Sequence, residues 1–222
     1  LYVGLLCVYH NYNRRRYAWS EPTQECAPEL RPMLDRLDVR LAYSRDLEVW
    51  RQAGSRKAFL PNSEESWDSG MIFPSSLVDV GHETWLYYGG SPMRHVQDEL
   101  ALAGQTIRGQ LQGIFGGLAR LRRDGFVSLS AGAGAGECLT RPLPLSGNDL
   151  LLNARTGQRG QIVIHMLSEG KEKLEGIPPF RFQGDSTEFK CPVPPALRSR
   201  LKDARVRLHI ELRQAELFTV SI

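Results

Sequence analysis

A chain of 222 residues, 41% apolar and 24% charged, is long enough for one large or two small buried cores and has the make-up of an ordinary folded protein. Its formal charge of +3 is too small and too scattered to point at nucleic acid. No stretch reaches the roughly 18 apolar residues that a spanning helix needs, so no membrane partner is expected and the chain reads as soluble, with secretion left open.

The opening LYVGLLCVYH (1–10) has the apolar, aromatic character of a strand. It lacks the basic start and small-residue cleavage site of a signal peptide. It reads as a strand in mid-fold, and the chain is therefore expected to be incomplete at its N-terminus. Arg14-Arg15-Arg16 follows, a run whose guanidinium groups suit phosphate or carboxylate. Since only five of the 28 basic residues are lysine, the simpler reading is an arginine bias on a solvated loop. Further strands are predicted at 39–44, 85–89, 116–121 and 126–129, divided by Gly, Pro, Asn and Asp clusters.

Two of these segments form a near-repeat. LAYSRDL (41–47), with Trp50 after it, is a strand running into a charged turn, and LARLRRDGF (118–126) repeats the plan with one residue inserted. Each copy follows an aromatic-rich strand. Tandem antiparallel units of this kind predict propeller blades. The AGAGAG run (131–136) reads G-x-G-x-G with no βαβ context, so it predicts a flexible boundary and not a dinucleotide loop.

Beyond that boundary the repeat stops. Val206, Leu208, Ile210 and Leu212 alternate with Arg207, His209, Glu211 and Arg213, the period-2 mark of a strand with one buried face. Strands at 161–167 and 216–222 join it, with turns at Gly170, Gly176 and Gly184, and a short helix is predicted near 196–202 after Pro194-Pro195. The expected fold class is all-β, with propeller blades over 1–130 and a β-sandwich over 136–222. Cys7, Cys26, Cys138 and Cys191 form no C-x-x-C pair, which disfavours a zinc knuckle or redox motif. No metal site and no cofactor are expected.

The ordered series of motifs resembles the five-bladed propeller glycoside hydrolases of families 32 and 43. LAYSRDLEVW (41–50) is similar to their S-[RK]-D-L-x-x-W blade motif, and WDSGMI (67–72) with WLYYGG (85–90) resembles the start and second strand of the next blade. GGLARLRRDGFVSLS (116–130), LTRPL (139–143), Asn153 and Gly184-Asp185-Ser186 resemble the propeller exit and the appended sandwich. The resemblance implies a carbohydrate substrate, a central sugar site, and hydrolysis or transfer at a glycosidic bond by the intact parent. The blades bearing the nucleophile and acid glutamate have no match here, and neither W-E-C nor R-D-P occurs. A carbohydrate-binding or structural module of the same shape is the alternative.

Asp68 heads a predicted innermost strand, where its carboxylate would serve catalysis or position a sugar hydroxyl. A turn aspartate ahead of Gly70 remains the other reading. His95, after the Tyr-Tyr-Gly-Gly strand, Tyr88 as a stacking ring, and His10 at the end of the first strand are the candidate substrate-binding residues. Each also has a plain structural explanation, as an exposed loop histidine, a blade-packing ring or a strand end. Arg45 and Asp46 are expected to build a turn, and His165 and His209 to be surface or packing residues.

Overall fold

The computed structural model describes residues 1–10, 36–54, 57–64, 66–93, 113–145 and 149–221. His95, Cys26 and Arg14-Arg15-Arg16 lie outside the described residues. Among the described residues the fold is all-β, with two sheets, neither of them closed. Among the described residues no helix is long and apolar enough to cross a membrane.

The chain divides into two compact units, residues 1–79 with 85–121, and 80–84 with 122–221 of the described chain. In the first, β1 (Tyr2–Tyr9) pairs antiparallel along its whole length with β2 (Leu37–Ser44), and β3 (Trp50–Gln52) pairs with the end of β2. A second run, β4 (Met71–Val80), β5 (Glu83–Ser91) and β6 (Phe115–Arg122), follows in the same sheet. Among the described residues the two runs are linked by one parallel pair, Leu37 with Met71. Val39, Ile72 and Leu86 are fully buried, so the apolar interior of this unit is built from β2, β4 and β5.

The turn that joins β2 to β3 explains the S-R-D-L motif physically. Ser44 Oγ accepts the amide of Leu47 at 2.9 Å, and Asp46 Oδ1 accepts those of Glu48 and Val49 at 3.0 and 2.9 Å. Leu47 sits at φ 67, a conformation that these side-chain bonds hold in place. The Val49 amide, then the Ser44 hydroxyl and the Glu48 amide, keep the Asp46 carboxyl below its usual range.

The second sheet is built on two long strands, β10 (Leu150–Ser168) and β13 (Arg205–Ser221). β11 (Phe180–Phe182) and β12 (Asp185–Cys191) pair with β10, while β7 (Leu129–Ala131), β8 (Gly136–Leu139) and β9 (Leu143–Pro144) pair with β13. The glycine-rich run therefore joins β7 to β8, inside the second unit. The strand expected at 126–129 begins only at Leu129, where pairing with Leu217 of β13 becomes available.

Val206, Leu208, Ile210 and Leu212 are all buried, as the alternation predicts. They meet Leu150, Leu152, Ile162 and Ile164 of β10 and Leu201 of the helix α1 (Pro195–Leu201) in one apolar cluster. Proline at the first turn suits the start of α1, where its missing N–H costs nothing. Midway, β10 and β13 lose register between Thr156 and Gln161, opposite Gln214 at φ 43. A Cβ on Gly160 would lie 2.2 Å from the Gln214 carbonyl oxygen, so only glycine permits this bulge.

Buried Asn153 of β10 is held in the second unit by two arginines. Arg122 Nε donates to Asn153 Oδ1, and Asn153 Nδ2 donates to the Arg123 carbonyl at 2.6 Å. The same Arg122 guanidinium bonds Asp185 and the Ala154 carbonyl and lies 5.1 Å over the Phe218 ring. Asn153 and Asp185 thus meet on one cation. Cys191 is buried, and burial, with Asp149 adding, pushes its thiol up to about 11, so it is protonated and inert at neutral pH.

Candidate functional site

Asp68 precedes β4 in a tight turn, where the Ser69 amide donates to the Ser66 carbonyl at 3.0 Å. Its residue is only 8% exposed. A buried carboxylate needs hydrogen bonds to offset lost hydration, and here both oxygens have them. Ser63 Oγ donates to Oδ1, and the Tyr88 hydroxyl donates to Oδ2 at 3.0 Å. Asn62 Nδ2 donates to the Asp68 carbonyl at 3.2 Å and to the Leu37 carbonyl at 3.0 Å. That amide ties the turn before β4 to the start of β2.

The ring of Tyr88 stacks on Trp67 with centroids 5.6 Å apart, and Phe115 meets Trp67 edge-on at 6.5 Å. Gly90 and Gly117 make room for this stack. A Cβ on Gly117 would lie 2.5 Å from Tyr88 Cζ, and one on Gly90 would lie 2.4 Å from the Trp67 ring. Burial, then the hydrogen bond to Asp68 and its charge, push the Tyr88 phenol up to about 12. Tyr88 is consequently a neutral donor across the physiological range.

His10 is buried beside a second carboxylate. Its Nε2 lies 2.7 Å from Asp38 Oδ2, and Arg40 Nε donates to Asp38 Oδ1 at 3.4 Å. Asp38 follows Leu37, whose amide donates to the Gly70 carbonyl at 3.1 Å, so both acidic residues belong to the joined starts of β2 and β4. Just before β2, Arg36 Nε is buried without a hydrogen-bond partner among the described residues. Burial lowers the pKa of this guanidinium, with Glu64 opposing.

No family model, curated protein or solved structure matches the chain. Its chemistry rests on its own residues.

Of the sequence candidates, the structure brings Asp68 and Tyr88 into direct contact and gives His10 to Asp38; His95 lies outside the described residues. Asp38, Ser63 and Arg36 were missed. A charged residue between Leu37 and Val39 was the available signal for Asp38, but a strand beginning at Val39 left it outside. In the second unit an open cleft of about 470 Å³ has Arg155 and Glu216 in its lining, and these two side chains pair with each other.

Proposed function

We propose that the first unit binds a carbohydrate through Asp68, Tyr88 and Trp67, as one wall of the sugar site of a glycoside hydrolase-like protein acting on glycosidic bonds. The observation that carries this reading is a buried carboxylate, oriented by Tyr88 and Ser63, beside a stack of partly exposed aromatic rings. Sugars present apolar faces to rings and hydroxyl groups to carboxylates, and each oxygen of Asp68 retains acceptor capacity beyond its bond to the protein. The buried Arg36 Nε offers a donor of the kind a ligand oxygen satisfies.

The finer architecture belongs to the same proposal. We read the two strand runs of the first sheet as neighbouring propeller blades and the second unit as a sandwich. The parallel pair between Leu37 and Met71 supports the blade reading, since innermost strands of adjacent blades run side by side.

Cleavage needs two carboxyl groups across the bond, about 5–5.5 Å apart for retention or about 6.5–9.5 Å for inversion. Asp68 supplies one, whereas Asp38 is engaged by His10 and Arg40. This favours binding without cleavage as the role of these residues. The test is to incubate the 222-residue chain with aryl fructosides, arabinosides and galactosides and to follow both occupancy and release of the aryl group. Occupancy without release is expected. Turnover that Asp68→Asn abolishes would make Asp68 catalytic, and neither occupancy nor release with any of the three would remove the carbohydrate reading.

A further inference from the structure

The polar face of the second sheet concentrates metal-ligating side chains on its two central strands. Alternation in β13 sends His209 and Glu211 to the face opposite Leu208 and Ile210, and the register sets His165 of β10 directly across from His209. The two imidazole rings stack with centroids 5.8 Å apart and an interplanar angle of 29°. His165 Nε2 lies 3.3 Å from Glu211 Oε1. One donor atom from each of His165, His209 and Glu211 falls within 4.8 Å of the others. From the neighbouring strand β8, Glu137 stands opposite Glu211, and its Oε2 lies 3.1 Å from His209 Nε2.

We infer that His165, His209 and Glu211 form a binding site for a divalent transition-metal ion of the zinc class, with Glu137 orienting His209. Two imidazoles and one carboxylate are a borderline-soft donor set, suited to zinc and its neighbours rather than to calcium or magnesium, which take oxygen ligands. Bonds of about 2.0–2.2 Å to a tetrahedral ion place donors roughly 3.3 Å apart. His165 Nε2 and Glu211 Oε1 already stand at that spacing, and the His209 donor lies within 4.8 Å of them, a difference that rotation of partly exposed side chains would close. With Glu137 on its Nε2, His209 would ligate through Nδ1, and a carboxylate on the far nitrogen of a ligating histidine fixes the ring and raises its basicity. Three protein ligands on a solvent-facing sheet leave the fourth position to water. The bound ion would clamp β10 to β13 on the His165 side of the bulge. This departs from the sequence expectation of no metal site.

The experiment is to titrate Zn²⁺ into the purified 222-residue chain by calorimetry, with Co²⁺ as a spectroscopic probe and thermal unfolding as a second readout. One ion per chain, the visible absorption of tetrahedral Co²⁺ and a raised Tm are expected, since an ion that binds only the native state stabilises it. His165→Ala and His209→Ala should each weaken binding at least tenfold, and Glu137→Gln by about 10–100-fold. His209→Gln keeps a polar side chain on this face and replaces His209→Ala if the latter unfolds without metal. No binding, or binding that survives both histidine substitutions unchanged, would overturn the inference.

Discussion

Tyr88 illustrates how one side chain couples the candidate site to stability. An unfolded tyrosine loses its proton near 10.0, whereas burial and Asp68 hold the native Tyr88 proton to about 12. Between those values the native state binds more protons than the unfolded state. The resulting stabilisation is complete below pH 10 and is lost as the pH rises towards about 12. Denaturation curves of the wild type should therefore fall more steeply over that interval than those of Tyr88→Phe; parallel curves would show that neither burial nor Asp68 holds the phenol proton. His10 makes a second residue-scale test. Removing it leaves the buried Asp38 carboxylate with Arg40 at 3.4 Å as a remaining donor, so His10→Ala should cost about 3 kcal/mol, the lower end for breaking a buried pair. A loss below about 1 kcal/mol in urea would show that Asp38 does not depend on the imidazole. The Asp68–Tyr88 pairing was within reach of the sequence because both residues sit in aromatic strand motifs. Asp38 was not, because an isolated charge gives no sign of which partner will bury it.

At the scale of elements, β13 was legible where its period is regular and illegible where it breaks. Strict alternation from Val206 to Leu212 gives the buried face correctly. Gln214 then shifts the phase, so that Ala215 and Leu217 are the next buried residues, and one 17-residue strand reads as two. In β10 the Thr156–Gln161 interval, with Gly157 and Gly160, resembles a turn in sequence but is a bulge held against Gln214. Ile210, 2% exposed in the middle of the apolar cluster, should cost about 2–5 kcal/mol when replaced by Ala. Arg207 looks like a plain surface residue in the sequence, yet its guanidinium donates to the carbonyls of Glu169 and Thr140 at 3.0 and 2.9 Å. Arg207→Ala should accordingly cost about 1 kcal/mol rather than nothing. Equal losses in the two variants, measured by chemical denaturation, would mean that the register of β13 is wrong.

For the whole molecule, the all-β class followed from short runs of β-branched and aromatic residues cut by turn signals, which local chemistry dictates. How strands from distant parts of the chain pair does not follow from local chemistry. The parallel contact of Leu37 with Met71 and the pairing of β7, β8 and β9 along one partner strand depend on long-range packing. The carbohydrate reading stands at this scale, because it asks what the assembled Asp68, Tyr88 and Trp67 do together. The most direct measurement is calorimetric titration of the 222-residue chain with fructosides, arabinosides and galactosides, alongside Asp68→Asn and Tyr88→Phe. Saturable binding of at least one sugar, weakened about tenfold or more by Asp68→Asn and less by Tyr88→Phe, is the predicted result. Saturable binding that neither substitution alters, in variants that unfold at the wild-type denaturant midpoint, would contradict it.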